Sequence, residues 1–77
     1  MIALERFKKK ASERVAKVLE AKQKNNKQWN RNKYQIYIRG LIRGYEITKG
    51  VTLKDEVVKG LVTDIMIDSG VMAEVLV

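Results

Sequence analysis

Apolar side chains in residues 2–24 recur at the three- and four-residue spacing of an α-helix and lie on one narrow stripe. The stripe consists of Leu4, Phe7, Ala11, Val15, Val18 and Leu19. Each acid in this segment is followed four residues later by a lysine, an orientation that stabilises a helix by a few tenths of a kcal/mol per pair. These pairs are Glu5 with Lys9, Glu13 with Lys17, and Glu20 with Lys24. Since the chain contains no proline, one uninterrupted helix is predicted here.

Positive charge is concentrated in the first part of the chain. Residues 1–33 hold eleven Lys or Arg and three acids, a net charge of +8. Residues 34–77 hold five Lys or Arg and six acids, a net charge of −1. Five cations share one flank of the predicted first helix, beside its apolar stripe: Arg6, Lys10, Arg14, Lys17 and Lys24. Such asymmetry predicts an anionic partner for the basic segment. The alternative is a solvated helix face that serves only solubility.

The stretch KQKNNKQWNRNKY, residues 22–34, carries five positive charges, no acid and the only tryptophan of the chain. Its asparagines favour turns and caps over helix interiors, so we expect the first helix to end here. Trp29 among cations suits phosphate contact with base stacking. It equally suits an anchor between the first two helices. The full candidate surface for nucleic acid or another anionic partner is Arg6, Lys10, Arg14, Lys17, Lys24, Lys27, Trp29, Arg31 and Lys33.

Residues 34–48 fit two local structures. Alternation of Tyr34, Ile36 and Ile38 is typical of a strand, and a hairpin would then turn between the two glycines at 40 and 44. A longer helical stripe runs through Tyr34, Tyr37, Ile38, Leu41 and Tyr45, and Gly50 would end that helix in the left-handed conformation. The longer stripe favours the helix, with the hairpin as the alternative.

A third helix is predicted from Thr52, which would act as its N-cap, to the pair Ser69-Gly70. Asp55 and Glu56 fall in its first turn, where the helix dipole favours negative charge. Its apolar residues cover more than half of the circumference. They are Leu53, Val57, Val58, Leu61, Val62, Ile65 and Met66. The apolar tail VMAEVLV that follows fits either a strand or a short helix.

This apolar excess predicts self-association or docking onto a larger assembly. A chain of 77 residues buries only about 60% of its unfolded surface, and chains of this size usually need disulfides, a metal or a partner. A contiguous apolar surface normally marks a partner site. The predicted oligomer interface consists of Leu61, Ile65, Met66, Val71, Met72, Val75 and Leu76.

Catalysis is not predicted. The chain has neither cysteine nor histidine, which excludes disulfides, zinc–thiolate sites and the commonest general base. No glycine-rich phosphate loop of a recognised spacing occurs. We therefore expect no enzyme activity, no cofactor and no small-molecule substrate. No run of 18 apolar residues is present, so no spanning helix is expected either.

Four charged residues occur in two pairs, each pair spaced by four. Arg39 and Arg43 lie on the predicted second helix, and Asp64 and Asp68 lie on the third. Antiparallel packing, within a subunit or between subunits, would align the two pairs as Arg–carboxylate bridges. The alternatives are phosphate binding by the two arginines and a shared hard cation on the two aspartates.

The motif YQIYIRGLIRGYE, residues 34–46, places Gly40 and Gly44 in a helix rich in tyrosine and isoleucine. The two glycines would let another helix approach closely, or are simply tolerated. The motif resembles a helix of short proteins encoded among the head and tail genes of tailed bacteriophages, although Tyr45 stands where leucine is usual. The resemblance implies a role in the virion or its morphogenesis without chemistry, and it carries over no functional residue.

Together these patterns predict a mainly α, small three-helix protein with a long basic N-terminal helix and an apolar C-terminal body. A single domain, 1–77, would comprise a basic helical arm (1–25), a turn or linker (26–33) and an apolar helical body (34–77). The predicted function is a non-enzymatic structural or assembly subunit in the host cytoplasm or the virion. The alternative is a small nucleic-acid-binding regulator that uses the basic arm for DNA or RNA. A first helix lying in a membrane surface is a third possibility.

Overall fold

The structure, a computed structural model, describes residues 2–72, with side chains from Leu4 onward. Three helices make up this part of the chain: α1 (Ile2–Lys24), α2 (Arg31–Lys49) and α3 (Asp55–Asp68). No strand occurs among the described residues. The predicted mainly α, three-helix fold is therefore confirmed. Residues 73–77 of the apolar tail lie outside the described part.

Helix α1 packs against the other two helices through its predicted stripe. Ala11, Val15 and Leu19 are buried, and Leu4, Phe7 and Val18 pack around them. The predicted arm thus forms one wall of the bundle rather than an extension from it. None of its three Glu–Lys pairs is in contact, since Lys8 with Asp64 is the only ion pair among the side chains of residues 4–72. Contact between exposed charged side chains adds little stability, and all six of these side chains are exposed to solvent.

Helix α2 confirms the helical interpretation of residues 34–48. Its start is capped by Asn30, whose side chain accepts a 2.9 Å hydrogen bond from the Lys33 backbone N–H. Its end is set by Gly50, which has the predicted left-handed conformation with φ of 66°. The helix buries Tyr34, Ile38 and Ile42 and leaves Ile36 exposed, whereas a strand would have placed Ile36 on the same face as Tyr34 and Ile38.

Helix α3 begins two residues later than predicted. Thr52 is not its N-cap, because the cap position is occupied by Lys54, whose side chain makes no capping hydrogen bond. Instead, the Glu46 carboxylate accepts a 2.7 Å hydrogen bond from the backbone N–H of Leu53. The Leu53 side chain packs against the core, so burial of this residue moves the start of the helix toward Asp55.

The core lies between all three helices. Phe7 of α1 contacts Tyr45 of α2, with ring centroids 4.6 Å apart, so the beginning of α1 lies beside the end of α2 and the two helices run antiparallel. Helix α3 packs against both. The buried apolar residues are Ala11, Val15, Leu19, Tyr34, Ile38, Ile42, Leu61, Val62, Ile65, Met66 and Val71.

Most of the predicted oligomer interface lies inside this core. Leu61, Ile65, Met66 and Val71 are buried against the chain itself, and Met72 is half-buried. The remaining members, Val75 and Leu76, lie outside the described residues. The apolar arc of α3 looks unpartnered in sequence because its partners come from α1 and α2, far away along the chain. These four core positions are therefore not a surface that a second chain could contact without unfolding the first.

Tyr34 is expected to make the fold sensitive to alkaline pH. Its hydroxyl donates a hydrogen bond to the Gln28 side-chain oxygen, and burial raises the pKa of Tyr34 above its ordinary value of 10.0. The folded state thus favours the protonated phenol. As the pH rises through about 10, the unfolded chain ionises first, and the free energy of unfolding falls.

Tyr34→Phe should remove that contribution, so its unfolding free energy should fall less than the wild type's between about pH 9 and pH 11. At neutral pH the loss of one hydrogen bond should cost about 0.5–1.5 kcal/mol. Urea denaturation of the wild type and of Tyr34→Phe, at about pH 9 and about pH 11, measures how much unfolding free energy each protein loses. An identical alkaline loss in the two proteins would contradict the assignment to Tyr34.

Candidate nucleic-acid interface

The cations predicted on the flank of α1 are all exposed. Arg6, Lys10, Arg14, Lys17 and Lys24 project from one side of the helix, spread over about 27 Å at 1.5 Å per residue. None forms an ion pair with any other described side chain. No carboxylate of the described residues therefore contacts them, and this row, which Glu20 interrupts, is called the basic ridge below.

Three further exposed cations follow the end of α1 along the chain. Lys27 lies in the loop, and Arg31 and Lys33 lie in the first turn of α2. Together with the basic ridge they belong to the basic first part of the sequence, residues 1–33. The structure does not place them in the groove described below.

Trp29 packs as an anchor between the first two helices. Its ring lies edge-on to Tyr34 and Tyr37, at centroid distances of 5.3 and 5.7 Å. The ammonium group of Lys22 lies 4.9 Å from the Trp29 ring centroid, a cation–π contact that covers the ring. The structure therefore favours the anchoring interpretation over a tryptophan free to stack on bases. Sequence reasoning missed the contact between Lys22 and Trp29, because no spacing rule relates a helical residue to an aromatic ring that lies beyond the end of the helix.

An open groove of ≈ 710 Å³ runs between α1 and α2. Its floor is apolar or small, and its edges are basic. The floor consists of Phe7, Ala11, Gly40, Leu41, Gly44 and Tyr45. Lys10, Arg14 and Lys17 of the basic ridge form one edge, and Lys49 stands on the α2 side. Glu13 is the only acid along it, so the α1/α2 groove has a strongly positive potential.

Gly40 and Gly44 keep the floor of the α1/α2 groove open. A Cβ atom at either position would meet no atom within 4 Å. Neither glycine is therefore required for the packing of the described helices against each other, although each costs about 1 kcal/mol relative to alanine inside a helix. The predicted close approach of another helix is not made by α1 or α3.

A second groove lies between α1 and α3, and its charges cancel. Its walls carry three acids and three cations: Glu5, Glu13, Asp68, Arg6, Lys8 and Lys9. It also contains Ser12, a buried serine whose hydroxyl has no hydrogen-bond partner among the described residues. Because opposite charges alternate along its walls, the α1/α3 groove offers a polyanion much less attraction than the α1/α2 groove.

The predicted bridges between α2 and α3 do not form. Arg39 and Arg43 are exposed, whereas the carboxylate of Asp64 lies 3.6 Å from Lys8 of α1. Asp68 lines the α1/α3 groove. Both aspartates occupy the flank of α3 that faces α1, so the predicted pairing does not form within one chain. No group of three acidic side chains suited to a metal ion occurs within residues 4–72.

Lys49 was also missed by sequence reasoning. It is separated from Lys17 by 32 positions along the chain, and only the antiparallel packing of α1 and α2 brings both to the α1/α2 groove. In the sequence, Lys49 stands out only because it falls in the last turn of the predicted second helix. A cation there interacts favourably with the helix dipole, which does not indicate a binding surface.

None of the helices within the described residues is long and apolar enough to cross a membrane. Comparison of the chain with protein-family models, with curated proteins and with solved structures found no match. Its function is therefore inferred from the geometry and charge of its own residues.

Proposed function

We propose that this protein is a non-enzymatic nucleic-acid-binding protein that contacts the phosphate backbone through the basic ridge of α1. The observation that carries the proposal is the exposure of five unpaired cations on one side of a single helix. A phosphate backbone binds such a row because each neutralised phosphate releases condensed counterions. The chain's net charge of +7 adds long-range attraction.

The three cations that follow α1 along the chain support the same function. Lys27 in the loop and Arg31 and Lys33 at the start of α2 are exposed, so they offer further positive charge to a bound strand longer than the ridge. Trp29 serves this surface indirectly, since its packing on Tyr34 and Tyr37 holds the loop against α2.

An assembly subunit is the second candidate, with a virion or morphogenesis role as the sequence resemblance implies. The observation in its favour is the outer side of α2, where Ile36 is 63% exposed and Ile47 is 72% exposed. These residues are eleven positions apart and lie on one side of the helix. A self-associating chain would bury them, and light scattering would then report a mass above the 8.9 kDa monomer.

Binding of a fluorescently labelled oligonucleotide should become weaker as salt rises. If four or five cations of the basic ridge contact phosphates, log K should fall against log salt with a slope of about −4 for a duplex and about −3 for a single strand. Fluorescence anisotropy over a range of salt concentrations measures the slope.

A peptide nucleic acid of the same base sequence provides the control, because it lacks phosphates. It should bind far more weakly than the natural oligonucleotide. Absence of binding at low salt, or binding that does not respond to salt, would rule out a phosphate-directed function.

A further inference from the structure

We propose that the α1/α2 groove binds a single strand of nucleic acid, with bases placed on the groove floor and phosphates held by its basic edges. This inference rests on the proposed nucleic-acid function and names the form of nucleic acid that the site takes. The groove combines the two parts that single-strand binding needs, a track of cations and an aromatic surface on which bases stack.

The edges of the α1/α2 groove supply the cation track. Lys10, Arg14 and Lys17 follow one another along α1, and Lys49 faces them from α2. All four are exposed, and none is paired with a carboxylate of a described residue. A strand lying in the groove would therefore meet positive charge on both sides.

The floor supplies the stacking surface. Phe7 and Tyr45 both line the groove and are half-buried, which leaves part of each ring accessible. Their mutual contact, with centroids 4.6 Å apart, holds the rings in place. Gly40 and Gly44 continue the floor without side chains, so a flat base can reach the backbone of α2 there.

The width of the groove selects a single strand over a duplex. The major groove of a DNA duplex is wide enough to admit an α-helix, so the whole duplex is wider than a groove between two neighbouring helices. A duplex can therefore touch the edges of the α1/α2 groove but cannot enter it. A groove of ≈ 710 Å³ has the size of sites that enclose small ligands, about 300–1,000 Å³, which is the scale of individual nucleotides.

The same groove is less suited to an amphipathic helix from a protein partner. Such a helix needs large apolar anchor sites, and the exposed large apolar side chains all lie elsewhere on the described surface. They are Ile36, Ile47, Val51, Val57 and Ile67. The cations and half-buried aromatic rings of the groove fit a phosphate-bearing strand better.

Filling the groove floor tests the proposal. Gly44→Leu places a side chain on the floor, at a position where an added Cβ atom has open space around it. Gly60→Leu is its matched control, because Gly60 is also an exposed glycine inside a helix with open space around it, but on α3 and outside the groove. Gly40→Leu is a second groove-filling variant, one turn away on the same floor. Circular dichroism first identifies which variants fold as the wild type does.

Each folded variant is then titrated with a labelled oligothymidine strand and with a duplex of equal length, under the same salt conditions. We expect Gly44→Leu or Gly40→Leu to weaken single-strand binding roughly tenfold, an effect of the size of one lost stacking contact. Duplex binding should remain within about a factor of two, since the duplex uses the exposed ridge. Gly60→Leu should leave both affinities unchanged.

Three results would overturn the proposal. Single-strand affinity that survives in both groove-filling variants would show that the strand does not enter the groove. Equal losses of affinity for the single strand and for the duplex would show that the substitutions act on the basic ridge rather than on the groove. Binding of an acidic amphipathic helical peptide, with no single-strand binding, would assign the groove to a protein partner. Failure of the wild type to bind either oligonucleotide would instead refute the proposed function itself.

Discussion

Ile65→Asp is expected to unfold the protein, whereas Ile67→Asp on the same helix is expected to leave it folded. Ile65 is 0% exposed and Ile67 is 56% exposed. A carboxylate at position 65 would lose its hydration without gaining a partner, which costs several kcal/mol. Loss of the isoleucine packing adds about 2–5 kcal/mol. A chain of 77 residues has a total free energy of unfolding of about 4–12 kcal/mol at the usual values per residue. The destabilisation caused by Ile65→Asp is as large as this total or larger.

Circular dichroism and urea denaturation of the two variants measure this contrast. The helical signal of Ile65→Asp should be lost at about 25 °C, and Ile67→Asp should unfold within about 0.5 kcal/mol of the wild type. Ile65→Ala should fall between them, with a loss of about 2–5 kcal/mol.

The result also separates a core from an oligomer interface. If Ile65 covered a second chain rather than the inside of its own, Ile65→Asp would yield a folded monomer. A helical, monomeric Ile65→Asp protein would therefore contradict the structure. Leu61→Asp should behave as Ile65→Asp does, because Leu61 is buried in the same core.

Replacing three cations of the basic ridge with glutamine should reduce nucleic-acid affinity by about 10²-fold near 0.1 M salt, since each lost phosphate contact removes about 0.9 from the salt slope. The variant is Lys10→Gln, Arg14→Gln and Lys17→Gln combined. All three side chains are exposed and unpaired among the described residues, so the fold should be unaffected. The slope of log K against log salt should become shallower by about 3.

A matched control removes the same number of charges from other surfaces. Arg39, Arg43 and Lys59 are exposed and lie on α2 and α3, away from the basic ridge. Their combined replacement with glutamine gives the same net charge as the ridge variant. The control should lose much less affinity, because only long-range attraction is changed. Equal losses in the two variants would mean that net charge, rather than the ridge, governs binding.

Local spacing accounts for most of what could be predicted about the fold. The apolar stripes of α1 and α2 gave two helices, and Gly50 ended α2 as expected because a left-handed residue is a local requirement. The start of α3 was misplaced because a distant side chain decided it: Glu46 binds the Leu53 backbone, and Leu53 turns toward the core. A capping rule that considers only neighbouring residues does not include such a contact.

The candidate site was predicted in part. The cations of the basic ridge could be chosen from sequence because they share a flank of one helix, and their position relative to each other depends only on helical spacing. Helical spacing does not connect Lys49 with the basic ridge, and the sequence around Trp29 fits two roles. Both depend on how α2 packs against α1 and against the loop.

The sequence by itself determined three helices, the basic flank of the first, and the absence of histidine and cysteine chemistry. These features depend on residue types and on spacing within one element. Only the tertiary structure decided that most of the apolar arc of α3 is covered by the chain's own helices and that a groove with basic edges opens between α1 and α2. The physical reason is that burial and grooves arise from contacts between helices distant in sequence, and such contacts leave no periodic signal within any single helix.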